Sequence, residues 1–281
     1  MSCSRVKTSM TKNAYKFSAM PELQNPAMIV GWDHDAGKLS PRVLEYLNRR
    51  LNVEGFCRIE PERFFSLGGV AIEHDIAVFP ESRFYYSRNY NVILFKSTEP
   101  QFEQHGFLNA ILDVAQQYCK VKELFTVNAV IAGIAHTGSR VISAVFNQQA
   151  LLRKFHNSEL TNMTWQGPAA VSSYLLWLAG KRGIPAVSLW TKVPFYLAGV
   201  EDFPAIEKTL RFLGRTLNLD LDLKELDDQV RLQNEKIEHL RAQDTEIDNS
   251  IASLEGGFEL SEQQQMDLIK RVAKTLEKPG R

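Results

Sequence analysis

Little in this sequence marks a partner by charge, metal or redox chemistry. Lys plus Arg and Asp plus Glu number 33 each, so no net charge recruits nucleic acid or an anionic membrane surface. Cysteine is scarce. Cys3, Cys57 and Cys119 are widely spaced and form no CxxC pair, which argues against a disulfide framework or a cysteine zinc site and agrees with a reducing compartment. The histidines, at 34, 74, 105, 136, 156 and 239, include no HExxH pair on one helical face. No apolar run is long enough to span a bilayer, and Met1 to Asn25 lacks the apolar centre of a secretory signal. The expected location is the cytoplasm, with no nucleic acid, no membrane, no cofactor and no metal implied, and no long internal repeat is visible.

What is present is a chain organised around residues 165 to 197, WQGPAAVSSYLLWLAGKRGIPAVSLWTKVPFYL. Gly167 and Pro168 are expected to open a helix, since proline's fixed φ suits the first helical position. Val171, Tyr174, Leu175 and Leu178 recur at helical spacing, and Leu176 and Trp177 widen the apolar surface. Gly183 supplies a left-handed stop before a β-rich run from Ile184 to Trp190. The same order appears upstream. Ala27 to Trp32 reads as a strand, Gly31 to Ser40 as a loop, and Val43, Leu44, Leu47 and Leu51 as a helix with Ser40 its expected N-cap. Further strands are expected at Phe56 to Ile59, Ile76 to Phe79, Arg83 to Ser87, Val92 to Lys96, Val127 to Gly133 and Arg140 to Phe146. A helix from about Gln101 to Lys120 should bury Leu108, Ile111, Leu112, Ala115 and Tyr118, and another should carry Ile206, Leu210, Leu213 and Leu217. Strands interleaved with helices predict a wound sheet covered on both faces, and the closely spaced strand pairs make it mixed.

The composition shifts after residue 218. Positions 223, 226, 230, 233, 237, 240, 244, 247, 251 and 254 alternate by three and four, and all are apolar except Gln233 and Asp244. Leu226, Val230, Ile237, Leu240 and Ile247 are therefore candidate interface residues of a coiled-coil seam, in which a polar core position fixes register. The competing reading folds that helix back on its own domain. Gly256 and Gly257 end it, Ser261 with Gln264 suggests a capping box, and Met266, Ile269, Ala273 and Leu276 mark a last amphipathic helix. The expected organisation is a mobile N-terminal arm over 1–25, an α/β domain over 26–218 and a C-terminal helical segment over 219–281.

Candidate chemistry is confined to the strand ends. Gly37 and Lys38 precede a helix, yet five residues separate Gly31 from Gly37 and Leu39 separates Lys38 from Ser40, so the phosphate-loop spacing fails. Asp33 and Asp35 could hold a hard cation but lack further ligands. His136-Thr137-Gly138-Ser139-Arg140 follows a strand, where wound sheets place ligand crevices, but no G-x-S-x-G elbow accompanies it. The candidate crevice is thus Asp33, Asp35, Gly37, Lys38, His136, Thr137, Gly138 and Arg140, with no catalytic residue assigned. Trp165, Trp177 and Trp190 could stack a ligand, and their apolar surroundings favour core packing or a subunit contact.

Several of these stretches resemble one family. A Gly-Pro before an apolar helix, then Gly183 to Trp190 (GIPAVSLW) and Val193 to Leu197 (VPFYL), then Pro204 and Ala205 before the next helix, are similar to the signature half of the proteasome assembly chaperone 2 family. IVGWDHDAGKLSPRVLEYLNRRL and IEPERFF resemble its first half, and the likeness extends over roughly Ala27 to Glu255. The resemblance implies a three-layer α/β/α sandwich of the phosphorylase/hydrolase-like type, with a mixed sheet and a C-terminal helical, coiled-coil appendage that helps build homo-oligomers, a trimer among them. It also implies a non-enzymatic, chaperone-like protein that binds an unidentified protein partner, with Phe195 and Tyr196 as further interface candidates. The chain ends Lys278-Pro279-Gly280-Arg281, whereas proteasome-docking relatives end in a hydrophobic-Tyr-any tail, so docking by the C-terminus is not expected. The rival expectation is an enzyme or small-molecule binder that takes a nucleotide or phosphate in the crevice.

Overall fold

The computed structural model describes residues 14–66, 71–73 and 76–277. In chain order they form β1 (Tyr15–Phe17), β2 (Ala27–Trp32), α1 (Leu39–Leu51), β3 (Glu54–Ile59), β4 (Ala71–Glu73), β5 (Ile76–Val78), β6 (Ser82–Ser87) and β7 (Val92–Ser97). There follow α2 (Gln104–Asp113), β8 (Glu123–Ala132), β9 (Ile142–Phe146), α3 (Gln149–Lys154), β10 (Thr161–Asn162), α4 (Val171–Lys181) and β11 (Ala186–Pro194). The chain continues through α5 (Phe203–Leu217), α6 (Lys224–Gln243), α7 (Thr245–Glu255) and α8 (Glu262–Glu277). Among the described residues, nine strands make one sheet in the order β1-β3-β6-β7-β2-β8-β11-β9-β10, and β4 pairs with β5 alone. The central strands β7, β2, β8 and β11 run parallel, while β1, β3 and β6 at one side and β9 against β11 are antiparallel.

Central parallel strands are covered on both faces, so their residues are apolar without alternation, as β2 with six buried residues illustrates. The pleat sends Ile29, Phe125, Val127, Val187 and Leu189 to the face covered by α1 and α5. Met28, Val30, Leu124 and Ala186 face α2 and α4. Three layers result, as expected. Leu223, Leu226, Ile237, Ile247, Ile251 and Leu254 belong to the first of these two cores, together with Leu268 and Val272 of α8. The helices beyond residue 218 therefore complete one side of the sandwich.

Several local expectations change. The seam is not one helix. Asp244 is extended (φ −140°, ψ 101°), accepts from the N–H groups of Glu246 and Ile247, and pairs with Arg271, so it ends α6 and caps α7. Ser40 is not the cap of α1: a 3-10 turn over Ala36–Lys38 comes first, capped by Asp35, and the Ser40 hydroxyl instead accepts from the Trp32 N–H at 2.9 Å. Gly167 and Pro168 lie in the exposed loop before α4, which starts at Val171. The helix after Gln104 widens into a π turn over Val114–Tyr118, and the extra residue in the turn carries Tyr118 off the buried face. Tyr118 packs against Phe17 instead, at 4.7 Å between ring centroids, so this part of the N-terminal arm is docked as edge strand β1; residues 1–13 lie outside the described residues. In α8 the buried positions are Leu268 and Val272, whereas Met266 and Ile269 are exposed. Gly183 (φ 72°) and the Ser261–Gln264 capping box are as expected.

Candidate functional site

The carboxyl ends of β2, β8 and β11 lie side by side, and the loops leaving them, 33–38, 133–141 and 195–202, hold all eight crevice candidates, each hydrogen-bonded through its side chain or backbone. Gly37 has φ 65°, which a β-carbon would strain. Its N–H donates to Ala198 O at 2.9 Å and its carbonyl accepts from the Asp202 N–H at 3.0 Å. A β-carbon there would also meet Val193 Cγ1 at 3.0 Å. The first and third loops are thus laced together.

The polar side chains are engaged in the same way. Asp35 accepts from the N–H groups of Ala36, Ser40 and Ala129, and its burial nonetheless raises its carboxyl from the ordinary 3.8 to about 7. Asp33 pairs with Lys96 at 3.2 Å and accepts from Thr98. His136 is buried, with Nδ1 3.0 Å from the Tyr196 hydroxyl and Nε2 3.2 Å from the Glu238 carboxylate. Burial holds its pKa below the usual imidazole value and outweighs the opposing pull of Glu238. The Thr137 hydroxyl donates to Glu255 at 2.8 Å, and the Gly138 N–H to Ala135 O at 3.2 Å. Arg140 donates to both oxygens of Asp202 and to the carbonyls of His136 and Gly138. Asp202 is also the N-cap of α5.

The structure therefore brings these candidates together as a clasp between the strand ends and the C-terminal helices, with Glu238 from α6 and Glu255 from α7 on the outer side. In the candidate crevice, Arg140 and His136 are therefore both partnered from within the chain. Among the described residues no group of three or more His, Cys, Asp or Glu side chains could hold a metal ion, and no helix is long and apolar enough to cross a membrane.

The seam candidates are likewise engaged within the chain. Leu226, Ile237 and Ile247 are buried, and Leu240 packs half-buried on the same core. Val230 is half-buried. Gln233, the polar core position, is held by α5: its amide donates to Glu201 O and its carbonyl accepts from the Phe203 N–H at 3.2 Å. Tyr196 is buried beside His136, and Phe195 is half-buried. Leu226, Ile237, Ile247 and Tyr196 are thus already buried within one chain, as the competing reading of the seam expects.

Two features escaped the sequence reading. The first is a buried polar chain on the α4 face: Trp32 Nε1 donates to Ser172 Oγ at 2.7 Å, Ser172 donates to Asn128 Oδ1, and Asn128 Nδ2 donates to Thr126, Ser188 and the Leu189 carbonyl. Its signal was present as polar Thr126 and Asn128 two residues apart in an apolar strand, facing Ser188 of the next. The second is apolar exposure. Ile131 is 57% exposed and Phe258 69%, and with Phe195 and Leu254 they line a cavity of about 590 Å³ at the end of β8. Trp165 is 68% exposed and Trp177 is also exposed, so of the two expectations, core packing or a subunit contact, the first fails for both.

Comparison with known proteins agrees with this architecture. The model of the PAC2 family matches residues 28–241, more than half of the chain. Among curated proteins none matches the sequence. The fold is similar to a Corynebacterium glutamicum protein of unknown function, at a TM-score of 0.76 and 18% identity over 87% of this chain and 96% of that one. It is also similar to a proteasome-assembly chaperone homologue from Mycobacterium tuberculosis (TM-score 0.70, 20% identity, 80% and 99% covered). A third similar structure is PbaB of Pyrococcus furiosus, an archaeal proteasome activator (TM-score 0.67, 18% identity, 82% and 100% covered).

Proposed function

The chain belongs to the PAC2 family, and on that premise we propose that it is a non-enzymatic, chaperone-like protein that binds another protein and acts as a homo-oligomer. The observation that carries this reading is the exposed apolar surface at the strand ends, Ile131 and Phe258 around the cavity beside Phe195. Large apolar side chains clustered at a rim of polar loops mark interaction surfaces in soluble proteins. The engagement of Arg140, His136 and Asp35 within the chain also favours binding over catalysis, because none of these groups is free to meet a reacting atom. The names of the similar structures, a proteasome-assembly chaperone homologue and a proteasome activator, agree with a role in assembling or assisting a protein complex.

The test is native mass spectrometry of the full chain beside the double variant Ile131→Asp, Phe258→Asp. A wild-type particle heavier than one chain, reduced to a single chain in a variant with an unchanged circular dichroism spectrum, is the expected result. A wild type that is a single chain would remove the homo-oligomer, and an unchanged heavier particle would remove this surface as its contact.

A further inference from the structure

Lys38 is the one crevice candidate with a polar side chain that makes no hydrogen bond or ion pair among the described residues. It lines a separate cavity of about 250 Å³, formed with Gly199, Val200 and Phe203 on one side and with Leu232 and Lys236 of α6 and Leu276 of α8 on the other. Lys236 is half-buried and has no ion pair among the described residues either. The backbone beneath Lys38 is fixed. Its φ is 48°, a left-handed conformation uncommon for a residue with a β-carbon, held by the Lys38 N–H to Asp35 O bond and by the cap that Asp35 provides.

The polar inventory of this cavity is lopsided. Its free donors are the ammonium groups of Lys38 and Lys236, the amide of Gln229 and the N–H of Gly199, at which a β-carbon would meet nothing within 4 Å. Glu201 also lines it, but its carboxylate is bound by Arg42 at 2.8 Å, and Gln233 is bound to Glu201 O and the Phe203 N–H. Glu277 is the remaining acid of the lining without an ion pair among the described residues. Val200, Phe203, Leu232 and Leu276 supply apolar wall. Two lysines on one cavity, without counter-ions among the described residues, favour a bound anion, and the apolar wall favours one that carries a short hydrocarbon part. The volume lies below the range of about 300–1,000 Å³ common for drug-sized ligands, which limits the ligand to a small one.

We infer that the cavity between Lys38 and Lys236 is a binding site for a small organic anion, a carboxylate or phosphate monoester whose charged end lies between the two ammonium groups and whose apolar part lies on Phe203, Leu232 and Leu276. The site is distinct from the exposed surface at Ile131 and Phe258 and does not depend on protein binding there.

Isothermal titration calorimetry of the full chain, at constant ionic strength set by sodium chloride, tests it with hexanoate, phenyl phosphate and inorganic phosphate. Saturable binding of hexanoate or phenyl phosphate is expected, weaker for inorganic phosphate, and the stronger of the first two names the charged group. Lys38→Met and Lys236→Met should each weaken it by about tenfold, the loss of one charged contact. Gly199→Asp, which places a carboxylate in the cavity, should abolish it. Lys270→Met, which removes an exposed lysine of α8 outside the cavity, should leave it unchanged. The absence of saturable heat with all three probes, or equal affinity in Lys38→Met, Lys236→Met and Lys270→Met, would overturn the assignment.

Discussion

The guanidinium of Arg140 donates to both carboxylate oxygens of Asp202, at 2.8 and 2.9 Å, with the two side chains 1% and 0% exposed. This pair joins the loop after β8 to the first turn of α5. Arg140→Met would leave Asp202 buried without its counter-charge, a change that typically costs about 3–5 kcal/mol. Urea unfolding should show that loss as a lower midpoint, and a loss below about 1 kcal/mol, the scale of an exposed pair, would mean the pair is not what fixes the loop.

Gln233 occupies the polar core position of the heptad pattern, and its two hydrogen bonds go to Glu201 O and the Phe203 N–H of the same chain. Gln233→Leu should cost about 1 kcal/mol, because two part-buried backbone groups lose their partner. Native mass should stay the same. A changed subunit number at unchanged stability would return Gln233 to the role of a register-setting residue between copies.

Ile237 is fully buried in the core shared by α6 and the sheet. Truncation to alanine removes buried methyl groups and leaves a cavity, at a cost of about 2–5 kcal/mol. Thermal unfolding of Ile237→Ala should be cooperative and lower in midpoint. If stability held while the oligomer dissociated, Ile237 would be an interface residue after all.

Asp35 gives a pH dependence of known sign. Its carboxyl titrates near 7 in the folded chain against 3.8 ordinarily, so between those values the folded state holds more of its proton than the unfolded state. Its contribution to stability is complete below about pH 3.8 and is lost as pH rises through about 7, with a slope of at most about 1.4 kcal/mol per unit. Asp35→Asn removes this titration, since its amide stays neutral across the range and keeps one oxygen before the three N–H groups. The difference in unfolding free energy between wild type and variant should shrink as pH rises from 4 to 7 and level off above. A difference that is flat across this range would contradict the raised carboxyl.

The sequence by itself determined most of the longer strands and helices and most of their buried faces, because a period of two or 3.6 in apolar residues is a local property, but not the break at Asp244 or the exposure of Tyr118, Met266 and Ile269. It carried the family resemblance in Gly183 to Leu197, the stop at Gly183 and the capping box at Ser261 and Gln264. It did not say against what a face is buried. The ten seam positions are buried or half-buried as their spacing requires, but against the chain's own α5, α8 and sheet, and no local pattern separates that from a second copy. The polar groups show the same division. Arg140 and His136 look available in sequence because their partners lie 62 and 102 residues away, at Asp202 and Glu238. Only the tertiary structure joined them, and only it set Lys38 apart from the other candidates and beside Lys236.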